Sequence, residues 1–206
     1  MKKGIKFIFA FFLFFAILFI SKQNYANSIN SISMDIYVDK NGNAQVTEVW
    51  SCYASSGTEI YHPYYNLGNS KISDLQVSES GNTYKTLSSW QTSGTLDTKS
   101  YKCGINTVSN GVELCWGISK YGSHTYTVKY NISNFVANLT DSQMIYWTLI
   151  PYDFSNSIGN VYIKVHTDFN IPDTTDVWGY GNYGGTCYVY DGYIEMQSDG
   201  SLSSSE

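Results

Sequence analysis

The chain of 206 residues contains no arginine, so its 12 basic side chains are all lysine, set against 17 acids. Lys2, Lys3, Lys6 and Lys22 fall within the first 26 residues, which hold no acid. Residues 27–206 therefore carry eight lysines against the 17 acids, a formal charge of −9. That balance excludes nucleic acid as a partner, because phosphate binding needs clustered Lys and Arg. It also excludes electrostatic docking on an anionic membrane. The charge suits an exported domain that must stay soluble. Proline is scarce, at Pro63, Pro151 and Pro172. There is no C-x-x-C, H-E-x-x-H, G-x-S-x-G or Walker motif, so the sequence offers no redox, zinc, nucleophile-elbow or phosphate-loop site and no cofactor is expected.

Long apolar runs are equally few. The longest, residues 7–20 (FIFAFFLFFAILFI), has 14 residues. That is short of the ~20 that cross a bilayer as a helix. With the lysines before it and the polar stretch 21–26 ending in Ala26, it has the three-part layout of a secretory signal peptide. The expectation is residues 1–26 as a leader cleaved near Ala26, with an uncleaved N-terminal anchor as the alternative. Residues 27–206 are then one extracytoplasmic domain.

What is abundant is tyrosine, at 19, with 5 Trp and 17 Gly. Aromatic and β-branched residues suit pleated surfaces, and Gly and Asn suit turns. Period-2 alternation recurs at Ile32, Met34, Ile36 and Val38, at Tyr126, Val128, Tyr130 and Ile132, and at Val161, Ile163 and Val165. Asn41-Gly42 and Asn110-Gly111 read as hairpin turns. A two-residue turn at Asn110-Gly111 places Cys103 opposite Ile118 and Cys115 opposite Asn106. The run 144–150 (MIYWTLI) reads as a central strand buried on both faces, and 96–102 as a short helix. About ten short strands at this spacing define an all-β fold, an antiparallel β-sandwich of immunoglobulin-like general architecture.

The chemistry-bearing residues are scattered. Cys52, Cys103, Cys115 and Cys187 allow two disulfides in three connectivities. In the register above, Cys103 and Cys115 lie on opposite faces and do not bond to each other. Small, buried, reduced thiols are the favoured reading. Asp39-Lys40-Asn41-Gly42-Asn43 has the opening letters of a calcium loop, but Gly is not sixth and Trp50 is twelfth, so a hairpin turn explains it better. His62, His124 and His166 form no motif and read as structural or solvated, with His124 in a turn. Paired carboxylates for glycan cleavage are not marked by any spacing. Two aromatic sets remain, Tyr61, Tyr64 and Tyr65 around His62-Pro63, and Trp178, Tyr180 and Tyr183 among Gly and Asn. They suit either a contact surface for a sugar or protein or, the favoured reading, the plugged ends of a sandwich.

Four pieces in order then carry a resemblance: Val46-Thr47-Glu48 in the first hairpin, residues 125–151, residues 160–172, and Val177-Trp178-Gly179-Tyr180-Gly181. Together they resemble the domain of unknown function 2207 family of predicted bacterial membrane proteins, over about 32–200. The resemblance implies a signal peptide, an extracytoplasmic β domain, and a later strand and membrane span. The chain ends at Glu206, so either a soluble form or a fragment is expected. No catalytic residues are established for the family. The sequence thus points to a non-enzymatic ectodomain of the cell envelope that acts through binding or structural contacts with an unknown protein or a cell-wall glycan. The membrane attachment lies in an uncleaved leader or a missing C-terminal span. A carbohydrate-binding module or a glycan-acting enzyme with two carboxylates is the alternative.

Overall fold

A computed structural model describes residues 27–151 and 156–203. The expected leader and anchor segment 1–26 lies outside the described residues. The described chain is all-β, and most of its strand pairs are antiparallel. Its strands are β1 (Ser28–Val38), β2 (Ala44–Ala54), β3 (Glu59–Tyr65), β4 (Lys71–Glu79), β5 (Asn82–Thr83), β6 (Lys85–Thr86) and β7 (Lys102–Val108). They continue with β8 (Gly111–Gly117), β9 (Gly122–Ser133), β10 (Val136–Asn138), β11 (Gln143–Ile145), β12 (Val161–Thr167), β13 (Thr186–Tyr190) and β14 (Tyr193–Gln197). A single-turn helix, α1 (Leu96–Lys99), precedes β7.

The strands form an eight-stranded sheet, β13-β14-β12-β1-β2-β9-β4-β5, a four-stranded sheet, β3-β8-β7-β6, and the ribbon β10-β11. Two pairs, β1 with β12 and β6 with β7, are parallel. Alternation drives the larger sheet's inner face. Ile36, Val46 and Tyr130 align across β1, β2 and β9, as do Ile32, Trp50 and Tyr126, and all six are buried. The smaller sheet closes over β2, β9 and β4. Trp116 on β8 meets Trp50 edge-on at 5.3 Å and Tyr126 at 5.9 Å. Such aromatic pairs add about 0.5–1.5 kcal/mol beyond the area they bury.

The expected hairpin at 39–43 forms, with the Asp39 carboxylate accepting from the N–H groups of Asn41 and Asn43 at 2.8 and 3.0 Å. The second hairpin differs. Val108 pairs with Gly111, so its loop is Ser109-Asn110, and Cys103 lies opposite Trp116 and Cys115 opposite Gly104. The two thiols still point to opposite faces, because the slip is two residues. Gly111 is not a turn residue here. It is needed for space, since a Cβ there would sit 2.0 Å from the Tyr64 carbonyl oxygen.

Two further expectations are corrected, and one strand was not anticipated. The run 144–150 is not a central strand: Gln143–Ile145 pairs only with Val136–Asn138, and Met144, Ile145 and Tyr146 are exposed. An apolar run that lies over a groove reads the same as one inside a sheet, because periodicity alone cannot separate them. Residues 59–65 form a strand, β3, whose place at the sheet edge accommodates Pro63. The helix stops at Lys99, since Tyr101 turns to φ +55° and Lys102 opens β7.

Gly111→Ala is expected to lower unfolding free energy by about 1–3 kcal/mol through forced overpacking against β3. A urea melt checks this, and an unchanged midpoint would show that β3 yields freely.

Candidate functional site

The larger sheet has more inner face than the smaller sheet covers. Over β12 and β14 the cover is irregular chain, and beneath it lies a groove of about 1090 Å³. Its floor is aliphatic, with Val161, Ile163 and Val165 from β12 and Ile194 and Met196 from β14, all but Met196 already buried in the core. One wall is the segment from β11 to Ile150, and the other includes Phe169, Ile171, Val177 and Trp178. Ligand pockets of drug-sized molecules usually occupy about 300–1,000 Å³. This one is large enough for a piece of polymer.

The first wall is anchored to a polar cluster inside the sandwich. Glu48 on β2 is fully buried, with Met34 and Val128 as its cross-strand neighbours. A carboxylate among such neighbours is costly unless every lone pair finds a donor. Four donors converge on it or extend from it. His62 on β3 donates from Nδ1 at 3.0 and 3.1 Å to the two oxygens. Trp50 Nε1 donates to one oxygen and the Tyr130 hydroxyl to the other. Because Tyr130 spends its proton there, Tyr64 donates to Tyr130. The other ring nitrogen of His62, Nε2, lies 3.1 Å from the Leu149 carbonyl oxygen. Both His62 nitrogens thus face oxygen atoms, the Glu48 carboxylate on one side and a backbone carbonyl on the other, and with Glu48 ionised a doubly protonated ring satisfies both. Trp147 tightens the same wall by stacking on Phe135 at 5.2 Å and donating to its carbonyl at 2.8 Å.

Burial alone would raise the Glu48 carboxyl, but the charge of His62 and the bonds from His62, Tyr130 and Trp50 outweigh it and hold it below the usual range. A second pair repeats the design. His124, stacked on Tyr126, faces Glu79 at 2.6 Å through Nδ1 and the Lys120 carbonyl at 2.8 Å through Nε2. Glu79 also accepts from Tyr84 and Ser119. Burial raises its carboxyl, and the bond from His124, with those from Tyr84 and Ser119, overcomes that and lowers it. His124 is therefore an inward residue of β9 and not a turn residue. His166 lies on the outer face of β12 beside Asp35, at 3.0 Å.

The aromatic candidates do not form one surface. Tyr64 is buried as part of the Glu48 cluster, and Tyr61 and Tyr65 belong to β3 on the smaller sheet, exposed and half-buried. Trp178, Tyr180 and Tyr183 are 68, 88 and 98 % exposed. The first two line the groove. The signal missed in the sequence was Glu48 within an alternating strand, where an acid holds a core position. All four cysteines are free thiols, with Cys52, Cys103 and Cys115 buried and Cys187 half-buried in the groove wall. Burial pushes the Cys52 thiol up to about 12, and it raises the other three as well.

Taken together, these features define an all-β sandwich domain whose inner face is closed over one half and left as an apolar groove over the other. The chain belongs to the family described as the N-terminal domain of predicted membrane proteins of unknown function 2207, whose model matches residues 28–206. No curated protein matches the sequence. Among solved structures the chain is similar to native leukotriene A4 hydrolase from Saccharomyces cerevisiae, with TM-score 0.48 and 5% identity over 87% of this chain and 28% of that one. It is similar to a candidate nutrient binding protein from Legionella pneumophila, with TM-score 0.47 and 11% identity over 87% and 67% of the two chains. It is also similar to the M1 zinc metallopeptidase from Deinococcus radiodurans, with TM-score 0.38 and 7% identity over 86% and 39%. The chain spans under a third of the yeast hydrolase.

Two outcomes are expected from this geometry. Glu48 and Glu79 have lowered folded-state values, so their contribution is complete above the unfolded carboxylate value of about 4.3 and is lost as pH falls below it. Glu48→Gln should cost about 3–5 kcal/mol at neutral pH, since it removes the partner of buried His62, and should remove the Glu48 share of the acid dependence while that of Glu79 remains. Urea melts across that range measure both effects. A thiol reagent should modify Cys187 in the native protein well before the other three, and peptide mapping reads the order.

Proposed function

We propose that this chain is the extracytoplasmic binding domain of a membrane-associated protein, acting by contact and not by catalysis. The observation that carries the reading is the open groove, with an aliphatic floor and Trp178, Phe169 and Tyr180 left in solvent beside it. The exposed part of this apolar surface lies along the walls and edge, at Met144, Tyr146, Phe169, Trp178 and Tyr180, and such patches mark sites of contact. The apolar run at 7–20, preceded by three lysines and followed by a polar stretch, supports export.

The catalytic alternative has less to work with. The two buried acid–imidazole pairs have every polar atom engaged, and Glu48 and His62 are closed to solvent. The carboxylates that line the groove are Asp39 and Asp176, and Asp39 is occupied by its own turn. A second reading, a sugar stacked on Trp178 and Tyr180, is favoured by their exposure at the groove edge. The apolar walls favour apolar side chains over sugar rings.

A neutral environment-sensitive dye such as Nile red should bind the purified protein with a blue-shifted emission. Phe169→Glu and Trp178→Ala, both at exposed positions, should weaken binding about tenfold while leaving the circular dichroism spectrum intact, as hot-spot truncations do. Equal dye affinity in the parent and both variants would sink the groove as the binding site.

A further inference from the structure

We infer that the groove receives a cationic amphipathic polypeptide segment, one that presents bulky apolar side chains to the exposed apolar walls and lysine or arginine to the rim. This rests on the binding reading above and goes beyond it by naming the chemistry of the partner.

The charge distribution carries the inference. The described residues 135–151 and 156–203, which supply most of the lining, hold seven acids, of which Asp168 and Glu195 are engaged by Tyr37 and Tyr162, and a single lysine, Lys164. That lysine is turned away. It alternates with Ile163 and Val165, which lie in the floor, and its Nζ sits 3.6 Å from the centroid of the Tyr193 ring. Asp176 lines the groove, and Asp141 and Asp173 are exposed on the same wall segments, between residues that line it. Asp39 lines the end near β1, where hydrogen bonding to the Asn43 backbone N–H, against slight desolvation, keeps its carboxyl below the usual range. The cation among the lining residues is Lys40, next to Asp39.

With Asp39 offset by Lys40, the net negative charge comes from Asp141, Asp173 and Asp176, so the groove is an apolar channel with a net anionic rim. Low-dielectric walls with a net excess of one sign of charge concentrate the opposite charge and raise its association rate. Exposed Trp178, Tyr180 and Tyr183 add ring faces that attract ammonium or guanidinium groups at about 0.5–1 kcal/mol each. An anionic lipid surface is repelled by the same acids. A neutral glycan would leave both the apolar walls and the charge unused. A polypeptide with alternating apolar and basic side chains satisfies walls, rim and aromatic loop together.

The test uses two labelled amphipathic peptides of the same length and pattern, Lys/Leu and Glu/Leu, added to the purified protein and followed by fluorescence polarisation. The Lys/Leu peptide should bind at least about tenfold tighter, and that advantage should largely vanish in about 1 M salt, where screening acts over about 3 Å. Reversal of two rim acids, Asp173→Lys with Asp176→Lys, should remove the preference without changing Nile red binding. Occupancy should slow alkylation of Cys187, which lies in the groove wall. If Nile red binds in the groove but the peptides bind equally, or a chito-oligosaccharide or anionic vesicle displaces the dye while the Lys/Leu peptide does not, the partner assignment is overturned and the binding site stands. If neither dye nor peptide is sensitive to Phe169→Glu, the binding reading itself falls.

Discussion

The sandwich depends on one buried ion pair. Glu48 occupies a position that the alternation of β2 reserves for an apolar residue, between Met34 and Val128. Its carboxylate is tolerable only if a cation and several donors reach it from elsewhere. The cation comes from β3 in the opposite sheet, Tyr130 from the neighbouring strand β9, and Trp50 from β2 itself. This fixes more than a charge. A slip of β3 by one residue would turn His62 outward and strand the acid, so the pair selects one register of β3 against β8 and one docking of the two sheets.

The same ring reaches further, to the Leu149 carbonyl. A strandless segment such as 147–150 has backbone groups that no ladder satisfies, and a buried orphan carbonyl is costly. The imidazolium answers that need. The Glu79–His124–Lys120 arrangement does likewise for the turn before β9. In both places an acid in the core holds a histidine, and the histidine holds a loop. The first of these loops is the groove wall, so the shape of the groove is a consequence of the core electrostatics.

Much of the larger sheet was legible in the sequence, because β1, β9 and β12 each alternate over several residues with one face buried. Two kinds of feature were not. The aromatic run 59–65 has no period-2 contrast, since Tyr61, Tyr64 and Tyr65 are apolar-bodied on either face, so its strand was concealed. The run 144–150 had the composition of a central strand, but its apolar side chains serve a groove. For the site, Trp178, Tyr180 and Tyr183 were identifiable as a Gly-flanked aromatic loop. Tyr64 looked equivalent and is not, because its hydroxyl completes the Glu48 cluster. The decisive acid in the core could be noticed as a break in pattern, but its partner, His62, is joined to it only by the folded chain.

Unequal sheets are what leave the groove. A sandwich of matched sheets buries both inner faces, whereas here four strands lie against eight, and β12, β14 and β13 extend past the cover. Chain from the connections fills part of that space, and it does so with its apolar groups only half turned inward: Ile171 and Leu149 are buried, while Phe169 and Trp178 are 64 and 68 % exposed. Burying a large aromatic is worth about 1.5–3 kcal/mol, so leaving several in water forgoes stability on that scale. Side chains held in this way are the exposed apolar surface on which the proposed contact rests. Under that proposal the acids beside the groove would select the partner, and the Leu149 carbonyl held by His62 fixes the wall that the partner would meet.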